Sequence, residues 1–572
     1  MTSRKNKLNN DLPLDANFVE QAEYIPQAQF RDLSAIHPDE DSIVRRLMVG
    51  GAKLLVGPRG CGKTTLLLKA YYKLLDNDAR NSLPVYVNFK LSLKMEPLYL
   101  ETSNASYWFK SWLNLKILEG LYRTIDEIED LELPSDLPSK KTVRRSIDNL
   151  ESAQTDRIID PERFSTEAVV TYLTEVVELN GLTRSVLLLD DAAHAFSAKQ
   201  QEDFFEFFRQ VKSREISPKA AVYPGVTTFS PAFHAGHDAE IIDVWFRPDS
   251  KDYVEYMSAM AEKRFNGALP QTLIEVSDAL QFLAYTSFGI PRSFLNMLRT
   301  IYHEESKHTV KGVLERRKIL EIAKESRELS HNVYESLTHK LPAYRDYVSA
   351  GQKIYQGLLY RIKDYNRDRP SSEQALEVGL RRPLTPDLEK IISFYQYAGL
   401  LMPAGENSRG VKGVFDLYLV HFGDLVTENA IIGKRSKSIA SFVQAFEGQG
   451  HQAWPRISAD TLLSDFLGGE SFGLALPNCQ VCGAERISES AKFCQNCGSR
   501  LKNSSIYETL TRQDISVLPL SDRMVTRIKE NSNIRTVQDI LIDTDRTSLR
   551  SIHMIGEIRA AMISNYAEEY VA

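Results

Sequence analysis

The chain has 572 residues, of which 43% are hydrophobic and 26% are charged, and its formal net charge is −6. This balance excludes a disordered or fibrous chain, and the length predicts about three to five domains. The acidic balance argues against a surface that coats nucleic acid throughout, so any nucleic-acid site must be local.

The first residues are polar and lack periodicity, which predicts a flexible or partner-bound arm over 1–30. They contain no apolar core of the signal-peptide type, and we find no run of about 18 apolar residues in the chain. We therefore expect a cytoplasmic protein with no membrane partner.

An apolar run at 53–56 leads into a glycine-rich stretch and then into a helical pattern. In that order, the loop exposes successive N–H groups beside a helix N-terminus, which binds phosphates. We expect Lys63 to reach the outer phosphates and Thr64 to supply a hydroxyl to magnesium. The alternative is a glycine turn without a ligand. The predicted nucleotide-binding residues of this loop are Gly57, Pro58, Arg59, Gly60, Cys61, Gly62, Lys63, Thr64 and Thr65.

Four further short apolar runs alternate with helical patterns, at 85–89, 186–189, 221–226 and 241–246. Buried strands that alternate with helices favour a parallel sheet. The predicted fold class is therefore α/β, with a P-loop ATPase domain over 31–250 that carries a helical insertion at about 95–180.

The third of these five runs ends in two carboxylates, Asp190 and Asp191. A buried strand avoids adjacent charges unless they have a role, so Asp190 is expected to bind magnesium, directly or through water. Asp191 is a candidate for positioning the attacking water, but it is a short side chain for that role, which predicts slow hydrolysis. The alternative for both is a solvated strand end that caps a helix.

Two weaker candidates follow. Thr228, after the apolar run that ends at Val226, could contact the outer phosphate or the lytic water, although a satisfied turn hydroxyl is a comparable interpretation. Arg292 follows Pro291 at a predicted helix start and could reach the phosphates, because a guanidinium matches phosphate oxygens. Its alternative role is that of a surface arginine.

Helical patterns over 251–335 predict a lid behind the nucleotide. The stretch 336–430 predicts a winged-helix-like domain, with three helical patterns, the third ending over 395–402, and then a strand-like run at 414–420. The Gly- and Ser-rich stretch 431–478 is interpreted as a connector.

With these residues in view, the stretch from about 30 to 430 resembles the origin-recognition and initiator branch of the AAA+ ATPases, and less closely the STAND signalling ATPases. The resemblance is carried by GPRGCGKTT at 57–65, LLLDD at 187–191, VTT at 226–228 and GIPR at 289–292. It implies a five-stranded nucleotide domain with ATP and magnesium, a helical lid and a winged helix that contacts DNA. Asp191 stands where many related enzymes have glutamate, which together with the long insertion points toward a nucleotide-controlled switch.

Two C-x-x-C pairs, each followed by glycine, predict a closed tetrahedral zinc site at Cys479, Cys482, Cys494 and Cys497. The segment 479–503 resembles a zinc ribbon, and a redox pair is the alternative. The stretch 507–572 is expected to form a small all-α domain, and its part 516–570 looks similar to the C-terminal domain of the RNA polymerase alpha subunit. It contains a helix-hairpin-helix-like pattern in which Gly556 and Arg559 would contact a DNA backbone. Protein docking is the alternative.

Taken together, these features predict an ATP-dependent switch that hydrolyses ATP slowly and couples its nucleotide state to double-stranded DNA or a protein partner, with homo-oligomers possible. The second hypothesis is a nucleotide-stabilised scaffold or sensor with negligible turnover. An initiator of DNA replication or of a mobile element, and a prokaryotic defence ATPase, are both open as biological roles.

Overall fold

The computed structural model describes residues 21–571, with gaps at 77–80, 102–103, 129, 192–196, 308–312, 371–372, 433–437, 449–453, 468–471, 487–490, 492 and 502–504. Residues 1–20 of the predicted arm therefore lie outside the described part of the chain. Residues 21–30 are described, and they form a short 3-10 turn at Ala22–Tyr24 and most of α1.

A five-stranded parallel sheet in the order β2-β3-β4-β1-β5 organises the first half of the chain. Its strands are β1 (Lys53–Val56), β2 (Ser82–Asn88), β3 (Arg184–Asp190), β4 (Ile216–Val222) and β5 (Glu240–Asp243). The predicted α/β class with a parallel sheet is confirmed. The helices around this sheet are α1 (Gln27–Leu33), α2 (Glu40–Met48), α3 (Lys63–Leu75), α4 (Glu96–Glu101), α5 (Ala105–Glu127), α6 (Lys140–Glu151), α7 (Thr166–Leu179) and α8 (Ala198–Val211).

Strand β3 explains why the sheet is covered on both faces. Val186 and Leu188 pack into the core that contains α2 and α3, whereas Leu187 and Leu189 pack into the core that contains α5, α7 and α8. Since successive side chains of a strand point to opposite faces, an unbroken apolar run needs helices on both sides.

The fourth strand lies earlier in the chain than the sequence pattern indicates. It spans Ile216–Val222, whereas the apolar run at 221–226 predicts a strand that ends just before Thr227. The physical reason is that Ser217 and Lys219 are buried inside the strand, where the Lys219 ammonium donates to the carbonyl oxygens of Val49 (2.8 Å) and Gly51. Tyr223 is therefore the first residue after β4.

A helical region that we call the lid follows the sheet, and it shares one apolar core with the region after it. The long helix α13 continues across the predicted boundary between 335 and 336. The lid helices are α9 (Tyr253–Arg264), α10 (Gln271–Glu275), α11 (Ala279–Thr286), α12 (Pro291–Lys307) and α13 (Arg316–Lys340).

The next region, which we call the wing region, contains a four-stranded sheet in the order β7-β8-β6-β9. Strands β7 and β8 form an antiparallel hairpin. The predicted third helical pattern ends at Ala398 because Gly399 adopts a left-handed conformation (φ +77°), so that Met402 already belongs to β7. The elements are α14 (Arg345–Asn366), β6 (Glu377–Arg381), α15 (Pro386–Ala398), β7 (Leu401–Ser408), β8 (Val414–Val420), α16 (Phe422–Thr427), α17 (Ile439–Glu447), β9 (Arg456–Ser458) and α18 (Ala459–Leu467).

The last three of these elements lie within 431–478, the stretch that the sequence pattern indicates as a connector. In the described part of this stretch, Phe442, Phe446 and Leu462 are buried in the shared core, and β9 pairs with β6. This stretch is therefore an integral part of the wing region.

The chain ends in a small helical region with its own apolar core, which we call the tail domain. Leu93 of the first half of the chain is part of that core, so the tail domain is docked against the region that carries the parallel sheet. Its helices are α19 (Ile506–Thr511), α20 (Asp522–Asn531), α21 (Val537–Ile542), α22 (Thr547–Arg550) and α23 (Glu557–Val571).

Candidate functional site

The glycine loop joins β1 to α3 at the carboxyl edge of the parallel sheet, and α3 begins at Lys63. Gly60 and Gly62 have φ angles of +85° and +100°, which side chains rarely adopt. A Cβ atom at Gly60 would lie 3.1 Å from Ile290 Cγ2, whereas the space beside Gly62 is open. The loop therefore leaves open space beside Gly62, at the N-terminus of α3, which suits an anionic ligand. Of the nine loop residues predicted to bind nucleotide, Arg59, Gly60, Cys61, Gly62, Lys63, Thr64 and Thr65 line one pocket.

Lys63 lies across the mouth of this loop. Its ammonium donates to the carbonyl oxygens of Gly57 (2.8 Å) and Pro58 (2.9 Å) and sits 3.7 Å from the centroid of the Tyr223 ring. Burial lowers the pKa of Lys63, so an anionic ligand beside it would stabilise the charged form of the side chain.

The structure brings together Thr64 and Asp190, the two magnesium ligands that the sequence predicts. A hydrogen bond from the Thr64 side chain acts to lower the pKa of Asp190. The Asp190 carboxylate also accepts from the Tyr86 hydroxyl (2.8 Å) and the Asp191 amide (3.0 Å). Burial, followed by the negative charges of Asp191 and Glu23, raises the pKa of Asp190. A hydroxyl beside a carboxylate offers the oxygen ligands that a hard divalent cation prefers, so these two residues would hold magnesium.

Asp191 follows the strand in a left-handed conformation (φ +50°) and lines the pocket. The Tyr223 hydroxyl donates to one of its carboxylate oxygens at 2.8 Å. Sequence reasoning missed Tyr223, because the fourth strand was placed too late in the chain. Its ring and its hydroxyl join Lys63 to Asp191.

Thr228 lies apart from these groups. It does not belong to the residues that line the pocket, and its backbone amide donates to the side-chain oxygen of Gln201, whose side-chain amide donates to Val226 O. The strand ends at Val222, so Thr228 belongs to the loop after it rather than to the strand end.

Arg292 is the second residue of α12. It lines the pocket, where the sequence predicts a phosphate contact. Its guanidinium forms an ion pair with Glu569 of the tail domain, and Arg59 forms a second ion pair with the same carboxylate at 3.3 Å. The amide of Arg59 donates to Tyr397 O of α15 (3.2 Å), so the wing region contacts the glycine loop directly. No local pattern in the sequence marks Glu569 or Tyr397.

Helices α1, α2, α9 and α12 also line the pocket, where apolar side chains are mixed with the charged Glu40 and Arg264. His37 lies there, with Nδ1 accepting from the Asp39 amide at 3.1 Å, and burial lowers its pKa, so the proton belongs on Nε2. Within the described residues, His37 Nε2 is buried without a hydrogen-bond partner. Apolar side chains beside a histidine suit a planar heterocycle such as a nucleobase. The apolar and aromatic lining residues that these helices and the segment between α1 and α2 contribute are Phe30, Leu33, Ala35, His37, Tyr256, Met260 and Leu295.

The cysteine window (479–500) forms two turns of the same geometry. In each turn the glycine amide donates back to the first cysteine, from Gly483 to Cys479 O (2.8 Å) and from Gly498 to Cys494 O (2.9 Å). Both glycines have positive φ angles, +71° and +68°. The four sulfurs lie within 4.8 Å of one another, and two pairs are 3.6 Å apart. A tetrahedral zinc site with bonds of about 2.3 Å needs sulfurs about 3.8 Å apart, so this arrangement fits zinc.

The predicted DNA contacts of the tail domain, Gly556 and Arg559, are exposed at the start of α23. The Arg559 guanidinium donates to Met554 O at 2.8 Å, which holds it beside the turn that contains Gly556.

Among the described residues, no helix is long and apolar enough to cross a membrane.

Comparisons with known proteins find similarity only among solved structures. No protein-family model matches it, and no curated protein matches it. Among solved structures, Cdc6p from Pyrobaculum aerophilum has 13% identity and a TM-score of 0.33, over 75% of this chain and 98% of that one. The Orc1 protein from Aeropyrum pernix, in complex with DNA, has 17% identity and a TM-score of 0.31, over 72% of this chain and 95% of that one.

Proposed function

We propose that this protein is an ATP-binding molecular switch that hydrolyses ATP slowly and couples its nucleotide state to the binding of DNA or a protein partner. The observation that carries the proposal is the assembly of the glycine loop, Lys63, Thr64 and Asp190 at the carboxyl edge of the parallel sheet. The part of the same pocket beside His37 offers a place for the base.

The loop amides and Lys63 would bind the phosphates, and Lys63 would exchange its two carbonyl contacts for phosphate oxygens. Thr64 and Asp190 would hold magnesium, which supplies positive charge to the phosphate oxygens during phosphoryl transfer. His37 would donate from Nε2 to a ring nitrogen or carbonyl of the base.

Slow hydrolysis follows from the surroundings of Asp191. Its carboxylate is one methylene shorter than glutamate, and one oxygen already accepts from Tyr223. A group that positions water loses efficiency when its geometry is poor, so turnover is expected to lie far below that of a motor ATPase.

Coupling to a partner would run through the wing region. Helix α15 contacts both the glycine loop, through Arg59, and the loop after β4, where Lys390 donates to Gly225 O at 2.7 Å. A shift of the phosphates would therefore reach the β7–β8 hairpin that follows α15. Together with the AAA+ initiator-like motifs, this path favours a switch whose output is DNA binding, in a monomer or in a homo-oligomer.

The test is ATP turnover by the purified protein with and without double-stranded DNA. Lys63→Ala should lower turnover by about a hundredfold or more, because it removes a charge that stabilises the transferred phosphoryl group. Lys73→Ala, on the exposed face of the same helix, is the matched control and should behave as the wild type. Turnover that DNA does not change would redirect the proposal to a protein partner.

A second candidate function is a nucleotide-stabilised scaffold or sensor with negligible turnover. The bond from Tyr223 to Asp191 favours it, because that bond occupies a carboxylate oxygen that would otherwise accept from water. Binding of ATP that depends on Lys63, without any turnover that depends on Lys63, would support this function over the switch.

A further inference from the structure

The C-terminal helix α23 places a carboxylate inside the candidate nucleotide pocket. Glu569 lines that pocket together with Lys63, Thr64 and Asp191. Besides its ion pairs with Arg59 and Arg292, it accepts a hydrogen bond from the Gln21 side chain, and its backbone carbonyl accepts from Arg59 at 3.0 Å. Residues from the two ends of the described chain thus meet at the glycine loop.

The charges around Glu569 are those that a phosphate group would find. Burial alone would raise the pKa of Glu569, but Arg292, Arg59 and Lys90 together lower it. The carboxylate is therefore an anion held between two guanidinium groups, the arrangement that arginines also adopt around phosphate oxygens.

This carboxylate lies at the magnesium end of the pocket. Lys90, which lines the pocket, forms an ion pair with Glu23 at 3.4 Å, and the amide of the residue before it, Phe89, donates to Asp190 O at 3.0 Å. The outer phosphate of a bound nucleotide would lie at the same end, since it is the phosphate closest to Asp191 and the magnesium ligands. Glu569 and that phosphate therefore need the same arginines.

Two further contacts hold the tail domain besides the ion pairs of Glu569. The Tyr24 hydroxyl donates to Glu568 at 2.9 Å. At the start of α19, the Glu96 carboxylate accepts from Ser505 Oγ (2.8 Å) and from the amides of Ile506 (3.1 Å) and Tyr507 (2.8 Å). Loss of the Glu569 contact would thus loosen one end of the domain while Glu96 still tethers the other.

We propose that Glu569 occupies the place of the nucleotide's outer phosphate, so that a nucleoside triphosphate expels the end of α23 from the pocket while a diphosphate leaves it docked. The proposal rests on the proposed function, since it needs a nucleotide in this pocket. It adds an autoinhibitory contact that responds to the number of phosphates.

Helix α23 would carry this change to the other end of the tail domain. Glu569 lies twelve residues after Glu557, the first residue of the helix, which corresponds to about 18 Å. The exposed Gly556 directly precedes that helix, and the exposed Arg559 lies in its first turn. Release at Glu569 would therefore reorient the proposed DNA-contacting turn as part of one rigid helix.

The test uses the full chain and measures affinity for a non-hydrolysable ATP analogue and for ADP. Glu569→Gln keeps the shape of the side chain but removes its charge, so it should tighten analogue binding by about tenfold, because the docked tail no longer competes. ADP affinity should change by less than about twofold. Glu557→Gln, an exposed glutamate on the same helix, is the matched control and should change neither affinity.

The second measurement is hydrogen–deuterium exchange over 556–571. In the wild type, the analogue should speed exchange in this segment and ADP should not. Tyr24→Phe removes the neighbouring contact to Glu568 without touching the arginines, and it should speed exchange without any nucleotide. Unchanged exchange with saturating analogue, or weaker analogue binding by Glu569→Gln, would overturn the proposal.

The two proposals fail in different ways. If the pocket does not bind nucleotide, neither the analogue nor ADP will bind in a manner that depends on Lys63, and the proposed function fails. If both bind with dependence on Lys63 while α23 stays protected, the nucleotide site stands and the autoinhibitory contact is wrong.

Discussion

The nucleotide pocket and the cysteine cluster are assembled over very different distances along the chain. The cluster is closed by cysteines at most 18 positions apart, within two turns that use the same backbone hydrogen bonds. The pocket joins Gln21 to Glu569, which are 548 positions apart, and includes residues of the region that carries the parallel sheet, of the lid and of the tail domain. A local change should therefore stay local at the cluster but spread from the pocket to distant parts of the fold.

The largest expected effect is the complete loss of zinc when a cluster cysteine is replaced. Cys479→Ser would remove one of the four thiolates that would hold the ion, so zinc per chain should fall from about one to near zero. Elemental analysis of the purified protein measures this. Because the cluster is self-contained, affinity for an ATP analogue should stay within about twofold of the wild type.

Cys61→Ser is the control for this prediction, since Cys61 is the remaining cysteine and lies in the glycine loop, outside the cluster. It should keep its zinc. If loss of zinc also abolished nucleotide binding, the cluster would be coupled to the pocket and the contrast between the two regions would be wrong.

The next effect concerns Asp191. Asp191→Asn keeps the size of the side chain but removes its basicity, so turnover should fall by about a hundredfold if this carboxylate positions water. Steady-state phosphate release measures it. Tyr223→Phe should act in the opposite direction, with an increase of about threefold, because the freed oxygen of Asp191 can then accept from water. Unchanged turnover in Asp191→Asn would show that this carboxylate has no part in hydrolysis and is only the polar end of the strand.

The sequence predicts the features that short patterns encode, and it misses those that depend on residues far apart in the chain. The glycine loop, Lys63, Asp190 and the four cysteines carry their chemistry in short patterns, and the structure brings the loop together with Asp190 because parallel strands end at one edge. Tyr223 was missed because Ser217, Pro218 and Lys219 interrupt the apolar run of β4 and hide where it begins and ends.

Glu569 and His37 could not be found from the sequence at all. Glu569 is one of three acidic or aromatic residues in a row at the end of an ordinary helix, and it is 510 positions away from Arg59. Its role depends on how the tail domain docks, which depends on Glu96 and Leu93, and no periodicity encodes such a contact. The stretch 431–478 shows the same limit, since its helices are recognisable mainly by the core they complete.

A third prediction tests that docking directly. Glu96 accepts three hydrogen bonds from the start of α19, and burial raises its pKa although those three bonds lower it. Glu96→Ala leaves these donors unpaired, which costs about 1–3 kcal/mol of docking free energy and should speed exchange over 505–512 by about tenfold or more. Glu508→Gln, which breaks only an exposed ion pair with Arg512, should change exchange by less than about threefold.

The smallest expected effect is at the tip of the β7–β8 hairpin, where the proposed DNA contact would form. Lys412 and Val411 are exposed there, and the Lys412 ammonium is placed to reach a phosphate rather than a base. Lys412→Ala should weaken binding to double-stranded DNA by about threefold, equally for unrelated sequences, and lower the slope of log affinity against log salt by about one. Lys324→Ala, a lysine on an exposed position of lid helix α13, should leave both quantities unchanged. If DNA affinity instead falls only with Arg559→Ala, the tail domain holds the DNA and the hairpin does not, which would move the output of the switch to the helix that also carries Glu569.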